Sequence, residues 1–199
     1  NAQIGTEKNG LYLNVALLWA DMRVRPPKGY SAGGIAQGLE PSDPLAAEQA
    51  DGPLPSIVMI MNESLADFSF WGEPQLSADY LPYLHQLAKT NSEAHYGGVS
   101  VPVFGANTSC SEFEALTGFS LGCGYPTTAP FQTLVQAAAP SAAWYYRALG
   151  YKTTALHPEN PENWNRRKAW NNLGFETSLF AGDIAFEGER CTDAELYRA

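Results

Sequence analysis

Positive charge is scarce in this sequence. Its 199 residues include 12 Lys and Arg against 21 Asp and Glu, which gives a formal net charge of −9 at pH 7. A protein that binds nucleic acid through a broad basic surface has the opposite balance, so the composition excludes that class. The proportions of hydrophobic residues (45%) and charged residues (17%) are typical of a globular protein and exclude general disorder. The length suits one domain with its own core.

Long apolar runs are also missing. A helix that crosses a bilayer needs about 20 apolar residues in succession. The best candidate, Leu11–Ala20, is half that length and contains Asn14. The basic and apolar regions of a secretory signal peptide are not present either. These absences do not establish a cytoplasmic location, because the sequence opens in the middle of a pattern.

Cysteine is rare. Cys110, Cys123 and Cys191 form no C-x-x-C pair and have no histidine at ligand spacing, which disfavours a zinc or iron–sulfur site. The odd number is compatible with free thiols or with one disulfide and one remaining thiol. In an oxidising compartment Cys110 and Cys123 are the nearest pair in sequence.

Hydrophobic periodicity predicts an α/β protein with a parallel sheet layered between helices. The apolar run Ile57–Met61 is typical of a strand buried on both faces. We divide the chain into a juxtamembrane-type helical segment over 1–27, a linker over 28–54 and a domain over 55–199. Within the first segment, we expect the helix over 9–23 to pack on the core. The predicted helices cover 9–23, 79–91, 110–116, 142–149 and 164–173, and the predicted strands cover 57–61, 94–101, 152–156 and 176–180.

Three polar residues follow predicted strands, at the sheet edge where ligands of α/β proteins gather. They are Glu63, Thr108 at the start of a helix, and His157. A helix N-terminus attracts phosphate or sulfate, and a hydroxyl placed there becomes a nucleophile when its pKa is lowered. Because no His or Lys neighbours Thr108, we expect a divalent cation, Mn²⁺ or Mg²⁺, with Glu63 as one ligand. Taken singly, each residue is more often a helix cap or a surface residue.

Two side chains that could bind a phosphate or a polyol follow His157. Arg166 can bind a phosphate through two parallel hydrogen bonds, and Trp164 can cover a polyol. The residues alone favour the other interpretation, a buried Trp beside a solvated Arg.

These motifs together resemble a known family, the lipoteichoic acid synthase and phosphoglycerol transferase branch of the sulfatase and alkaline phosphatase superfamily. The resemblance lies in the tripeptide NES over 62–64, the stretch FGANTSCSEFEALTG over 104–118, and His157 followed by WNR over 164–166. The order and spacing agree from about residue 55 to the end. The most specific part is T-S-x-S-E-F-E-x-L-T-G, which begins at Thr108.

The resemblance implies a function and a site. Thr108 would be the nucleophile and would carry glycerol phosphate as a covalent intermediate, while Glu63 and Thr108 would bind Mn²⁺. The substrate-binding residues would be Trp164, Arg166, Glu159 (where the family often has Asp) and His157. The donor would be an anionic glycerophospholipid, and the acceptor a glycerophosphate polymer or a periplasmic glucan.

The sequence departs from the family in two ways. The sulfatase motif C/S-x-P-x-R is absent, which disfavours formylglycine-dependent ester hydrolysis. The Asp-His pair that completes the family's metal site does not follow His157. We therefore expect the front half of an alkaline phosphatase-like catalytic domain, inactive by itself. It would act outside the cytoplasm beside membrane helices absent from this chain, with a companion fragment or through self-association.

The alternatives are a phosphodiesterase, a phosphatase, a related sulfuric-ester hydrolase, or a non-catalytic module that binds glycerophosphate or glycan.

Overall fold

In a computed structural model, the part of the chain that is described consists of helices, loops and two short parallel strands. The structure describes residues 2–21, 28–29, 31, 52–62, 65–68, 78–101, 103, 107–123, 129–186, 188 and 191–198, without the side chains of 2–4, 18, 21 and 123. In chain order the elements are α1 (Ala2–Asn9), α2 (Leu11–Asp21), α3 (Pro82–Thr90), α4 (Thr108–Thr117), α5 (Pro130–Thr133), α6 (Ala142–Ala148), β1 (Thr154–Leu156), α7 (Arg166–Asn172), β2 (Thr177–Leu179) and α8 (Asp193–Leu196).

The two strands form a parallel pair joined through α7. Thr154 lies opposite Thr177, and Leu156 lies opposite Leu179. The ladder continues for one residue past β1, where the His157 N–H donates to the Leu179 carbonyl at 3.0 Å. Parallel strands need a crossover between them, and a helix is the usual one. The predicted α/β class with parallel strands is therefore confirmed in its coarse form, with two strands in the described sheet.

The turn after α7 fastens that helix to α6. Gly174 has φ of +94°, and a Cβ there would lie 2.6 Å from the Trp144 ring, so both the backbone and the space require glycine. The Trp144 indole N–H donates to the Asn172 carbonyl at 3.0 Å. The Ser141 hydroxyl caps α6 by accepting from the Trp144 N–H and also donates to the Leu173 carbonyl. The predicted helices in these two regions are confirmed.

The hydrophobic core lies in the second half of the chain. Its buried side chains come from α4, α5, β1, α7 and the loops beside them: Cys110, Phe113, Leu116, Leu121, Phe131, Val135, Ala155, Ala169, Trp170, Leu173 and Phe180. Cys110 is a buried free thiol, and burial raises its pKa. The side chain of Cys123, the cysteine nearest to it in sequence, lies outside the described residues.

Two predicted strands do not form. The run Ile57–Met61 has no ladder partner among the described residues, and its side chains are exposed, with Val58 at 80%. The stretch 94–101 likewise forms no strand, and Val99 is 87% exposed. The apolar composition favoured burial, but a strand is buried only where neighbouring strands and helices cover it. The predicted linker lies outside the described residues except at 28–29, 31 and 52–54.

The predicted packing of the first helix on the core is wrong. The helix is broken at Gly10, which has φ of +73°, into α1 and α2. These two helices contact each other, and the Asn14 amide donates to the Thr6 hydroxyl at 2.8 Å. Asn14 is buried, whereas Tyr12 is 90% exposed. The apolar residues of α2 surround the helix and do not form one stripe, so no single face turns inward. Within the described residues, no helix is both long and apolar enough to cross a membrane.

A histidine joins α3 to the segment that precedes it. His85 Nε2 lies 2.9 Å from a carboxylate oxygen of Asp67, and His85 Nδ1 lies 2.7 Å from Asp79. Tyr96 and Tyr80 also donate to Asp67. Two carboxylates on the two ring nitrogens favour the doubly protonated imidazolium. The hydrogen bonds to Asp67 and Asp79 accordingly raise the pKa of His85, and the bond from His85 lowers the pKa of Asp79.

We predict that His85→Gln destabilises the protein mainly at mildly acidic pH. The pKa of His85 is raised in the folded state. The charged His85 therefore contributes fully to the free energy of unfolding below its ordinary pKa of 6.5, and this contribution is lost as the pH rises through the folded-state pKa. The depressed pKa of Asp79 keeps the contribution intact until the pH falls below its ordinary value of 3.8. Urea unfolding of the wild type and the variant should differ most near about pH 5 and converge near about pH 9.

The matched control for this experiment is His95→Gln, at an exposed histidine of the same region. This variant should follow the wild type at both pH values. An equal loss of stability for His85→Gln at both pH values would contradict the charged bridge.

Candidate active site

Thr108 is the first residue of α4 and is partly buried. The N-cap residue, Asn107, has left-handed backbone angles (φ 54°, ψ 43°) and makes no capping hydrogen bond with its side chain. The N–H groups of the first turn are thus not satisfied by the cap side chain, an arrangement that suits an anion. The Ser109 hydroxyl in the same turn is fully buried and has no hydrogen-bond partner among the described residues. The helix predicted to begin at Thr108 is confirmed.

The predicted metal site is only partly within the described residues. Thr108 is described, whereas Glu63 is not. A hydroxyl and a carboxylate are oxygen donors of the kind that Mn²⁺ and Mg²⁺ prefer. However, no group of three or more His, Cys, Asp or Glu side chains in the described part of the chain could hold a metal ion. The described residues therefore do not form a complete metal site.

The segment before α7 has an unusual backbone. Trp164 (φ 59°, ψ 13°) and Asn165 (φ 60°, ψ 33°) are both left-handed. Asn tolerates this region, but a bulky aromatic residue there is an outlier. Such strain persists where the surroundings fix the conformation, and it clusters at functional sites. Trp164 is partly buried and packs against the hydrophobic core. The irregular turn ends at Arg166, the first residue of α7.

A buried carboxylate connects α4 with α7. Glu112 Oε2 accepts from Arg166 Nε at 3.1 Å, and Glu112 Oε1 accepts from the Trp170 indole N–H at 2.6 Å. Arg166 is 2% exposed and Glu112 is 9% exposed. A buried charge requires an opposite charge and hydrogen bonds, and each partner supplies these to the other. The sequence-based alternative of a solvated Arg166 is wrong, because this guanidinium lies inside the protein.

His157 lies close to the same arginine. Two causes lower the pKa of His157 to about 4: burial is the larger, and the positive charge of Arg166 is the smaller. Its Nδ1 accepts a hydrogen bond from the Glu159 N–H at 3.2 Å, so Nδ1 is unprotonated and the neutral ring carries its hydrogen on Nε2. Glu159 itself is exposed, and its carbonyl accepts from the Ala181 N–H at 3.4 Å.

Among the predicted site residues, His157 and Arg166 lie close together, and Glu112 connects Arg166 to the helix that begins at Thr108. Thr108 lies one turn before Glu112 on the same helix face, and Glu112 contacts Arg166, whose charge acts on His157. The sequence reasoning gave no role to Glu112 or Trp170. The indication was present in the spacing, since each lies four residues after a predicted site residue.

Parts of this chain are similar to known proteins, although no family model matches it. A putative cyclic beta-1,2-glucan modification protein of Rhizobium meliloti (strain 1021) is 32% identical over 168 residues, which are 84% of this chain and 25% of that protein. Among solved structures, the lipoteichoic acid synthase LtaP from Listeria monocytogenes matches with a TM-score of 0.42 and 22% identity. That match covers 49% of this chain and 24% of the Listeria chain.

The similarity to the rhizobial protein extends over most of this chain. The chain spans about a quarter of the length of each matched protein.

We predict that Arg166→Ala lowers the free energy of unfolding by about 3–5 kcal/mol, because it leaves the Glu112 carboxylate buried without its cation. The matched control is the next residue. Arg167 is exposed, and its guanidinium lies 4.8 Å from the centre of the Phe180 ring. Its replacement by Ala should lower the free energy by about 1 kcal/mol or less. Urea unfolding followed by tryptophan fluorescence measures both, and equal losses would contradict a buried ion pair.

Proposed function

We propose that this chain carries the nucleophile and the phosphate-binding groups of a phosphoglycerol transferase. The enzyme would move glycerol phosphate from an anionic glycerophospholipid to a glycan or glycerophosphate polymer through a phosphothreonine at Thr108. The observation that supports this most is the buried Glu112, which links the helix that begins at Thr108 to the helix that begins at Arg166. The motif T-S-x-S-E-F-E over 108–114 supports the same assignment.

The proposed reaction has two displacements. In the first, the Thr108 Oγ attacks the phosphorus of the lipid headgroup and the bond from phosphorus to the diacylglycerol oxygen breaks. The diacylglycerol leaves as an alcohol with the proton that the threonine gave up. In the second, a hydroxyl oxygen of the acceptor attacks the phosphorus of the phosphothreonine, the bond from phosphorus to the Thr108 Oγ breaks, and the proton of the acceptor hydroxyl returns to Thr108. The group passes from one oxygen to another without oxidation or reduction.

The other residues of the site would stabilise the phosphate. The N–H groups in the first turn of α4 favour a negative charge at the start of that helix, and Arg166, which is paired with Glu112, would donate hydrogen bonds to the phosphate. His157 is neutral at pH 7, since its pKa is lowered to about 4, so it would donate a hydrogen bond rather than a charge. Trp164 would cover the glycerol part, and the exposed Glu159 would accept from its hydroxyls.

A divalent cation forms part of the proposal. Thr108 and Glu63 would hold Mn²⁺ or Mg²⁺ together with further ligands, and the cation would lower the pKa of the Thr108 hydroxyl. A complete alkaline phosphatase-like sandwich, with more strands than the described pair, would be needed to supply those ligands.

The acceptor proposed first is a glucan. The rhizobial relative, similar over 84% of this chain, is named as a putative cyclic beta-1,2-glucan modification protein. Phospholipid donors and exported glucans meet at the outer side of the cytoplasmic membrane, so we propose that the enzyme acts outside the cytoplasm.

We predict that Thr108→Ala abolishes transfer in the full-length protein, because the attacking oxygen is removed. Thr108→Ser should retain measurable transfer, since it keeps a hydroxyl at the same position. The assay follows radiolabelled glycerol phosphate from phosphatidylglycerol vesicles to a cyclic glucan in the presence of Mn²⁺, and mass spectrometry of the rapidly quenched protein should find the added group on Thr108.

The matched control is Thr117→Ala, at the other end of the same helix, where the hydroxyl donates to the Phe113 carbonyl at 2.7 Å. It should transfer at close to the wild-type rate. Undiminished activity of Thr108→Ala would refute the nucleophile. Release of free glycerol phosphate at the same rate with and without glucan would instead identify a phosphodiesterase, and binding without turnover would identify a non-catalytic module.

A further inference from the structure

We propose that Glu112 is a positioning residue that orients the Arg166 guanidinium for the phosphate of the donor. The inference rests on the proposed function, since it assumes that Arg166 binds that phosphate. It assigns a role to a carboxylate that the reaction itself does not require.

The carboxylate is held from two sides. One oxygen of Glu112 accepts from Trp170 at 2.6 Å and the other accepts from Arg166 Nε at 3.1 Å. Trp170 is itself fixed, because its ring stacks on the buried Phe180 with 5.1 Å between ring centres and 17° between ring planes. The position of the carboxylate is therefore set by the core, and the hydrogen bond to Nε sets the plane of the guanidinium.

Stability alone does not explain this arrangement. A buried ion pair is often no more stabilising than well-packed hydrophobic residues of similar volume, and the surrounding core offers such residues in Phe113, Leu116 and Leu173. An arginine side chain has many rotamers, so one that must bind a ligand loses entropy on binding unless it is already fixed. Glu112 already orders the Arg166 side chain before the ligand binds, so binding loses less entropy and the affinity is higher.

The location of Glu112 supports the same role. It lies four residues after Thr108 on α4, whereas Arg166 belongs to α7 and is 54 residues away in sequence. The ion pair therefore sets the position of the proposed phosphate-binding group relative to the helix that carries the proposed nucleophile. For in-line transfer the phosphate must be held accurately with respect to the attacking oxygen.

The test uses Glu112→Gln in the full-length protein with sn-glycerol 1-phosphate as the probe. Calorimetry should give a Kd about tenfold higher than that of the wild type, in line with the loss of one charge-assisted hydrogen bond. The KM for the lipid donor should rise more than kcat falls. In ¹⁵N NMR, the Arg166 Nε–H resonance should exchange rapidly with water in the variant and slowly in the wild type.

Two controls separate positioning from stability. Leu116→Val removes one methylene from the core on the same helix, so it lowers stability but should leave the Kd within twofold of the wild type, since the ion pair is intact. Glu176→Gln makes the same chemical change in another Glu–Arg pair, in which Arg147 lies 3.8 Å from Glu176, and it should also leave the Kd unchanged. If Glu112→Gln does not fold, Glu112→Asp replaces it, with an increase in Kd as the expected result.

The outcomes distinguish the two proposals. Wild-type affinity in the Glu112 variant, while the wild type binds the probe, overturns the positioning role and leaves the proposed function in place. An increase in Kd that Leu116→Val reproduces at equal loss of stability also overturns it. If the wild type does not bind glycerol phosphate, the role of Arg166 in the proposed function fails, and the positioning role fails with it.

Discussion

One buried carboxylate holds the candidate site together. Glu112 has little contact with water, and it satisfies a guanidinium from α7 and an indole from the core at the same time. Removing any partner would leave a polar group buried without a hydrogen bond, which is among the most destabilising changes in a protein interior. Because of this constraint, the two helices cannot slide past one another without breaking the ion pair, and their first residues stay in a fixed relation.

The backbone has a left-handed conformation just before both α4 and α7. Asn107 precedes Thr108 with a left-handed backbone, and Trp164 and Asn165 precede Arg166 with another. These are the three non-glycine residues with positive φ in the described parts of the chain. Trp164 is itself a predicted site residue, and Asn107 and Asn165 each adjoin one. Such conformations raise the energy of the folded state and are maintained by the packing around them. Each of the three lies directly before one of the two helices that the Glu112–Arg166 pair connects.

The sequence predicted the second half of the chain far better than the first. The elements from α4 to β2 follow local rules: Ser141 caps a helix, Gly150 and Gly174 end helices with positive φ, and apolar residues recur at the helical period. In the first half, the prediction of a buried strand at Ile57–Met61 was wrong, because the run is apolar but composition does not reveal whether a neighbouring strand exists.

The site was predicted in part. Thr108 and Arg166 came from motifs. The spacing places Glu112 one turn after Thr108, but its ion pair with Arg166 depends on which helices pack together, a long-range property that spacing does not contain.

The separation of Glu112 and Arg166 along the chain also affects the order of assembly. A ribosome adds roughly 5–20 residues per second, so the 54 residues between the two partners take roughly 3–11 s to synthesise. During that interval Glu112 has been synthesised and Arg166, its partner in the folded protein, has not. Burial of Glu112 before Arg166 emerges would leave a carboxylate in the interior without this cation, which is unfavourable. The order of the two partners along the chain therefore sets the earliest moment at which the pair can enter the interior.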